Sequence, residues 1–443
     1  MNTLLTEILL ARENRVRKQQ ELLQTYQKPL LCFTMNIPGP VKLDRDISIG
    51  FSVGNWLLAD ALRSTRALHK EEHREITGCE AYYVVDLPAR QLKQIALDLE
   101  DTHPIGRLFD MDVLDVDGKK LSREDMGYPR RTCLICDEDA AVCARSRAHG
   151  LEQLQDRTGF LLYLAARQWM TEYIAVRAFL ALHQEVSTTP KPGLVDRNNT
   201  GSHRDMGMRH FFSSANALRP FFCRFAETGF LTRDDAPTET FQKLRPIGLE
   251  AETAMLKATH GVNTHKGAIF SLGLLCAAAG RLSPELWSSQ RLLAECAAMT
   301  VGVTAQDFAG ITAENAQTNG ERLYAQYGIT GVRGQAEAGF PEVLHTGLPI
   351  LRKGLEKGLS LNDAGAIALL HLLAATDDTN LISRSDRQTQ LAIRQQIHAL
   401  LEKDPFPALS VIEDLDRDFI QRNLSPGGTA DLLAITYFLY FLQ

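Results

Sequence analysis

The sequence lacks an uncharged apolar run long enough to cross a bilayer. Its longest, Gly267–Gly280, falls short of the roughly 20 residues a transmembrane helix needs. It also lacks a basic excess: 48 Lys and Arg stand against 54 Asp and Glu, a net charge of −6 that argues against bulk nucleic-acid binding. The 8 cysteines show no regular spacing, which fits a reducing compartment better than a disulfide framework. The N-terminal segment lacks the continuous apolar core of a signal peptide, because Glu7, Arg12, Glu13, Arg15 and Arg17 interrupt it. No internal repeat or low-complexity segment is present. These absences predict a cytoplasmic chain with neither membrane nor nucleic-acid partners, while a local basic pocket for one polyphosphate stays compatible with them.

What is present is an ordinary globular composition, 44% hydrophobic and 23% charged. At 443 residues the chain exceeds one compact core, so two or three domains are expected. Leu4, Leu5, Ile8, Leu9 and Val16 form a helical stripe at the start. Leu30–Ile37 and Tyr82–Leu87 read as strands, Gly54–Lys70 as a helix and Gly106–Val116 as a strand of period two. Beyond about residue 160 alternation disappears. Helices are expected over Phe160–His183, Phe211–Thr228, Ile247–Thr259, Ile269–Ala279, Ser360–Ala375 and Ala430–Leu442. The prediction is therefore an α+β domain with a small sheet over 1–157, then an all-α domain over 158–443. The join is expected within Ala144–Thr158.

The segment Glu185–Asp205 has neither periodicity, yet it gathers Lys191, Asp196, His203 and Asp205 among prolines and glycines. A long polar loop that buries little apolar surface is costly to order, so a binding or catalytic task explains it better than connection alone. Four further polar loops adjoin helices: Gly261–Gly267 with Asn263, His265 and Lys266; Tyr327–Pro341 with Arg333 and Glu337; Thr376–Asn380 with Asp378; and Asn423–Asp431. Any one of them suits helix capping. Jointly their cations and carboxylates suit a triphosphate and its metal ion, with amides at helix starts as additional anion donors.

In the first domain, a strand through Gly106–Leu114 puts Asp110 and Asp112 on one face and Phe109, Met111 and Val113 on the other. Two carboxylates at i and i+2 stand roughly 7 Å apart and can share Mg²⁺ against a polyphosphate. Arg107 and His103 would add positive charge; a solvated edge strand is the bland alternative. Cys133, Cys136, Cys143 and His149 have the donor types of a structural Cys₃His zinc site, although the middle spacing is shorter than in zinc ribbons.

The motifs Lys191–Asp196, Gly201–Met206, Gly261–Gly267 and Ser425–Leu432 resemble the triphosphoribosyl-dephospho-CoA synthase family. Gly106–Val113, with Pro38–Lys42 and Arg131–Cys136, resembles the apo-citrate lyase phosphoribosyl-dephospho-CoA transferases. The whole chain is similar to a fusion of the two. The resemblance implies that the C-terminal half joins ATP to 3′-dephospho-CoA through a ribose 2′-hydroxyl, releasing adenine. The N-terminal half would then transfer the product to a serine of the apo acyl carrier protein of citrate lyase, releasing pyrophosphate.

Within that chemistry Asp196 or Asp205, beside His203, would serve the ribosyl bond, while Lys191, Asn263, His265, Lys266, Arg333, Glu337 and Asn380 bind substrate. Asp378 would hold Mg²⁺ in that half; Asp110, Asp112 and Arg107 would act in the other. Departures from the family pattern are Gln335 where an acid is expected, Asp377 and Ser385-Asp386 where glycines are, and Phe109 for tryptophan. The same cofactor chemistry serving malonate decarboxylase, a non-catalytic ATP sensor and a ribosyl hydrolase are the alternatives.

Overall fold

The computed structural model describes residues 2–443, with side chains from Thr6 onward, and the chain divides by packing into two compact units. The first holds the described residues up to Met170 with Ser283–Glu285; the second holds Thr171–Leu282 and Leu286–Gln443.

The first unit is α+β. Its strands are β1 (Leu30–Met35), β2 (Ala67–Glu75), β3 (Gly78–Val85), β4 (Phe109–Leu114) and β5 (Lys120–Leu121), in the order β2-β3-β1-β4-β5 with every pair antiparallel. Helices Arg45–Ala61 and Ala89–Thr102 cover one face. Phe33 on β1 stacks on Phe51 at 5.0 Å and meets Phe109 edge-on at 5.4 Å. A Cβ at Gly54 would come 2.3 Å from the Phe33 ring, so glycine there lets the helix approach the sheet.

The opening helix, Asn2–Tyr26, packs by its final turns, where Leu22 and Leu23 meet Leu30, Cys32, Tyr82 and Val84. The expected stripe nearer its start is not a core face, because Leu9 and Val16 are each 52% exposed. The side chains of Leu4 and Leu5 lie outside the described residues.

The helix expected over Gly54–Lys70 starts earlier and stops sooner. Asp44 accepts from Ile47 N at 2.8 Å and caps its start. Thr65 then donates its hydroxyl to Leu62 O at 2.7 Å, closing a turn into β2, and Leu68 lies on that strand. β2 is a charged edge strand without apolar alternation, a pattern that blunts edge-to-edge pairing. The 3₁₀ turn Gly106–Leu108 precedes β4, so the strand begins at Phe109 rather than Gly106. Helix Leu151–Leu164 and the π-helical turn Ala165–Met170 close this unit.

The second unit is all helical. Thr171–Ser187, Met208–Leu231, Pro237–Ala258, Lys266–Arg281, Leu361–Ala375 and Gly427–Leu442 carry its centre. Lys266–Arg281 is buried on almost every side, as an apolar helix at the middle of a bundle must be. Glycines permit that position: a Cβ at Gly229 would come 2.1 Å from Ala277 O, and one at Gly280 2.1 Å from Ala226 O. A further core joins Ile367 and Leu370 to Ile393, Ile397, Ile412 and Phe419. Among the described residues no helix is long and apolar enough to cross a membrane.

Candidate functional site

In the second unit the Glu185–Asp205 loop is ordered by its own acids. Asp196 is buried, accepts from Asn198 N at 2.7 Å, Asn199 N at 3.1 Å and, through its other oxygen, Lys191 N at 3.1 Å. Asp416 accepts from Gly193 N at 2.9 Å and Asn199 Nδ2 at 2.8 Å. Gly193 has φ +68°, and a Cβ there would come 2.1 Å from Leu424 O. Asp196 thus shapes the loop and lies off the cleft wall, contrary to the expected catalytic role. Asp205 is also off the wall: its side chain is 65% exposed, with His203 Nδ1 at 3.8 Å.

The loop and its four companions meet around one cleft of about 470 Å³. Lys191 and His203 come from the first, Asn263, His265 and Lys266 from the second, Gln335 from the third, Asn380 from the fourth, and Ser425 and Asp431 from the last. Lys191 is 1% exposed; its ammonium donates to Glu185 O at 2.8 Å and pairs with the Glu185 carboxylate. His203 Nε2 lies 2.8 Å from Ser425 Oγ and its Nδ1 3.1 Å from Arg384. Burial, then Arg384, lowers the His203 pKa, with Asp205 opposing. His265 Nδ1 meets Ser214 Oγ at 2.7 Å, whereas its buried Nε2 has no partner among the described residues. Burial, with Lys191 and His183 nearby, lowers the His265 pKa to about 3, so the ring is neutral.

The helix starts are not open anion sites. Asp378 caps two helices at once: one oxygen accepts from Asn380 N at 2.9 Å and Leu381 N at 3.0 Å, the other from Thr429 N at 2.6 Å and Thr429 Oγ1 at 2.8 Å. With its lone pairs used it does not fit the expected Mg²⁺ ligand. Asp431, the one charge in helix Gly427–Leu442, turns to the start of Lys266–Arg281 and accepts from Ala268 N. A Cβ on Gly267 would lie 1.9 Å from Asp431 Oδ2. Burial, then Glu185 and Asp378, raises the Asp431 pKa well above the carboxylate range. Burial likewise raises that of Glu185.

The structure thus places Glu185 and Asp431 on the cleft as its inner acids, and neither was singled out from sequence. The signal for Asp431 was a lone acid in an otherwise apolar helix. Lys266 lines the cleft but is paired with Glu252 at 2.6 Å. Arg333 lines a neighbouring groove and binds Asp307 at 2.7 Å, as does Arg245. Glu337 accepts from Gly302 N at 2.7 Å and Thr304 N at 3.2 Å, which holds a turn rather than a ligand. Two departures also gain roles: Asp386 caps helix Arg387–Lys403, and Asp377 pairs with Arg387 and Arg394.

In the first unit β4 presents Asp110 and Asp112 half-buried on one face, with Phe109, Met111 and Val113 buried on the other. Lys120 reaches Asp112 at 2.6 Å, while Thr34 Oγ1 stands 3.5 Å from Asp110. The β4 backbone is held by Glu100, which accepts from Met111 N at 2.8 Å, and by Lys93, which donates to Met111 O at 3.1 Å. Arg107 donates to Thr132 O, and Arg131 donates to Phe109 O at 2.9 Å. His103 adds no charge: it is stacked on Phe109, and burial lowers its pKa to about 4. The ligand atoms of Cys133, Cys136, Cys143 and His149 all lie within 4.8 Å of one another.

Residues 171–443 match the family model of ATP:dephospho-CoA triphosphoribosyl transferase, and residues 3–162 match that of apo-citrate lyase phosphoribosyl-dephospho-CoA transferase. The chain is similar to Protein CitXG of Haemophilus influenzae, 38% identical over 98% of this chain and 95% of that protein. It is 32% identical to Protein CitXG of Leuconostoc mesenteroides subsp. cremoris, over 98% and 96%. It is 39% identical to 2-(5''-triphosphoribosyl)-3'-dephosphocoenzyme-A synthase of Haemophilus ducreyi, over 70% of this chain and 99% of that protein.

Proposed function

The chain belongs to the ATP:dephospho-CoA triphosphoribosyl transferase family through residues 171–443 and to the apo-citrate lyase phosphoribosyl-dephospho-CoA transferase family through residues 3–162, and we propose that its two sites act in sequence on one cofactor. It is a bifunctional transferase that builds the citrate lyase prosthetic group from ATP and 3′-dephospho-CoA and passes it to the apo carrier protein. Fusion raises the effective concentration of the first product for the second step. The observation that carries the assignment of the first step is the meeting of the polar loops around one cleft with two inner acids, the buried Glu185 and the half-buried Asp431.

In that cleft the 2′-hydroxyl oxygen of dephospho-CoA bonds to C1′ of the ATP ribose as the bond from C1′ to adenine N9 breaks. Adenine leaves with the bonding electron pair. Asp431, kept protonated by burial and its acidic neighbours, supplies adenine's proton. Glu185 accepts the hydroxyl proton and faces the positive charge that grows on the sugar. Lys191, His203 with Ser425, Asn263 and Asn380 bind substrate polar groups, and the open Nε2 of neutral His265 takes a hydrogen bond from or to the ligand. Asp378, its oxygens occupied by four hydrogen bonds, does not fit a metal ion in this cleft.

In the first unit Asp110 and Asp112 fit Mg²⁺: they are oxygen donors on one strand face, Asp110 with the Thr34 hydroxyl at 3.5 Å as its hydrogen-bond partner among the described residues and Asp112 paired with Lys120. Bound there, the ion would neutralise charge on the leaving pyrophosphate. Arg107 and Arg131 face the same leaving group, and the acceptor is a serine of the carrier protein.

The test is to incubate the chain with ATP, dephospho-CoA or both and follow free adenine, then add apo carrier protein and measure its mass. Adenine only with both substrates, followed by a mass gain on the carrier, is expected. Adenine from ATP alone would make the cleft hydrolytic, and ATP binding without adenine would make it a sensor.

A further inference from the structure

We propose that Cys133, Cys136, Cys143 and His149 hold one zinc ion, and that this ion fixes the segment setting Arg107 and Arg131 beside the Asp110 strand. The cysteines are free thiols. Cys136 Sγ lies 3.6 Å from Cys143 Sγ and 3.2 Å from His149 Nε2, with all four ligand atoms inside 4.8 Å. Zinc bonded tetrahedrally, at about 2.3 Å to sulfur and about 2.0 Å to nitrogen, requires ligand edges of about 3.5 to 3.8 Å. The site therefore has the size and donor chemistry of zinc before any ion is added. Three thiolates and an imidazole leave no open position, which makes the site structural.

The surrounding backbone is a knuckle built on the same ligands. Cys133 N donates to Glu138 O at 2.7 Å, Ala140 N to Arg131 O at 2.9 Å and Ile135 N to Cys133 Sγ at 3.5 Å. Asp139 caps the short helix Ala140–Ser146 that carries Cys143. Little apolar packing holds this segment, since Ile135 is 38% and Val142 56% exposed and only Cys143 of that helix is buried. A segment without a core of its own needs a cross-link to keep one shape.

Its consequence lies one residue before the first ligand pair. Thr132 O receives Arg107, and the Arg131 guanidinium pairs with Glu100 and donates to Phe109 O at 2.9 Å. Releasing the knuckle frees the acceptor that holds Arg107 and the backbone that aims Arg131. Both would then be positioned by the metal at a distance.

The test uses the full chain. Metal content by mass spectrometry, and visible absorption after cobalt replaces zinc, are compared for the parent, Cys136→Ser and His149→Cys. One zinc per chain is expected in the parent, with thiolate-to-cobalt bands. Zinc is lost in Cys136→Ser and kept in His149→Cys, which preserves four ligands. Pyrophosphate-releasing transfer should fall about tenfold or more in Cys136→Ser and return in His149→Cys, while adenine release in the same chain stays unchanged and reports that the rest is folded. A parent that binds neither zinc nor cobalt, or a Cys136→Ser chain that keeps one zinc, overturns the site. Zinc loss without loss of transfer overturns the positioning role. That last arm rests on the reading of Asp110 and Asp112 given above; the metal arm does not.

Discussion

Asp431 Oδ2 occupies the space that any side chain on Gly267 would need: a Cβ there would stand 1.9 Å from it. The two helices that carry these residues are locked together by that approach, and the acid is held in the cleft by it. Gly267→Ala should therefore displace Asp431 and lower adenine release strongly while leaving transfer of pre-made cofactor intact. Gly248→Ala is the control, since nothing lies within 4 Å of its added Cβ and alanine favours a helix interior. Equal adenine release in parent and Gly267→Ala would remove the contact from the mechanism.

The Asp431 proton sets a pH dependence. Its folded pKa is raised by burial and by Glu185 and Asp378, so the donor form persists above the ordinary carboxylate range and is lost as pH rises through the raised value. Adenine release should fall on that alkaline limb. In Asp431→Asn the residual rate should lack the limb, and a rate profile of the two proteins checks it.

His265 acts in the opposite direction on stability. Its folded pKa is lowered to about 3, whereas an unfolded histidine titrates near 6.5. As pH falls below about 6.5 the unfolded chain gains a proton that the buried ring refuses, so folding is progressively weakened down to about pH 3. His265→Gln lacks this penalty. Urea midpoints at pH 7 and pH 5 should therefore drop less in the variant than in the parent; an equal drop would contradict the buried neutral ring.

Asp378 is a structural acid, and its removal should cost stability before chemistry. It caps helices Thr379–Arg384 and Gly427–Leu442 together, and losing two caps with buried donors left unpaired costs about 2 to 4 kcal/mol. Asp378→Ala should lower the unfolding midpoint accordingly. A variant of unchanged stability that has lost only magnesium dependence would restore the metal role.

These cases show what was legible in the sequence. The β4 pattern of Asp110 and Asp112 against Phe109, Met111 and Val113 could be read because period two is a local property of a strand. The same holds for the cysteine spacing and for the apolar helices of the second unit. Strand β2 is hidden because its charged residues carry no alternation, so Leu68 reads as part of the preceding helix. The roles of the acids escaped for a different reason. Asp196, Asp378 and Asp431 look alike in sequence, and which one caps, which one shapes a turn and which one faces a cleft depends on amides brought by distant segments. The partners of Glu337 and Arg333 are hidden on the same ground: Thr304 and Asp307 lie on the short helix Val303–Asp307.

The most direct measurement is a crossed pair of assays on the full chain. Adenine release from ATP with dephospho-CoA is measured beside pyrophosphate release from pre-made cofactor and apo carrier protein, for the parent, Asp431→Asn and Asp110→Asn. Asp431→Asn is expected to lose adenine release by a factor of about 10² to 10⁴ and keep transfer, while Asp110→Asn keeps adenine release and loses transfer. Undiminished adenine release in Asp431→Asn would contradict the role of Asp431 as adenine's proton donor.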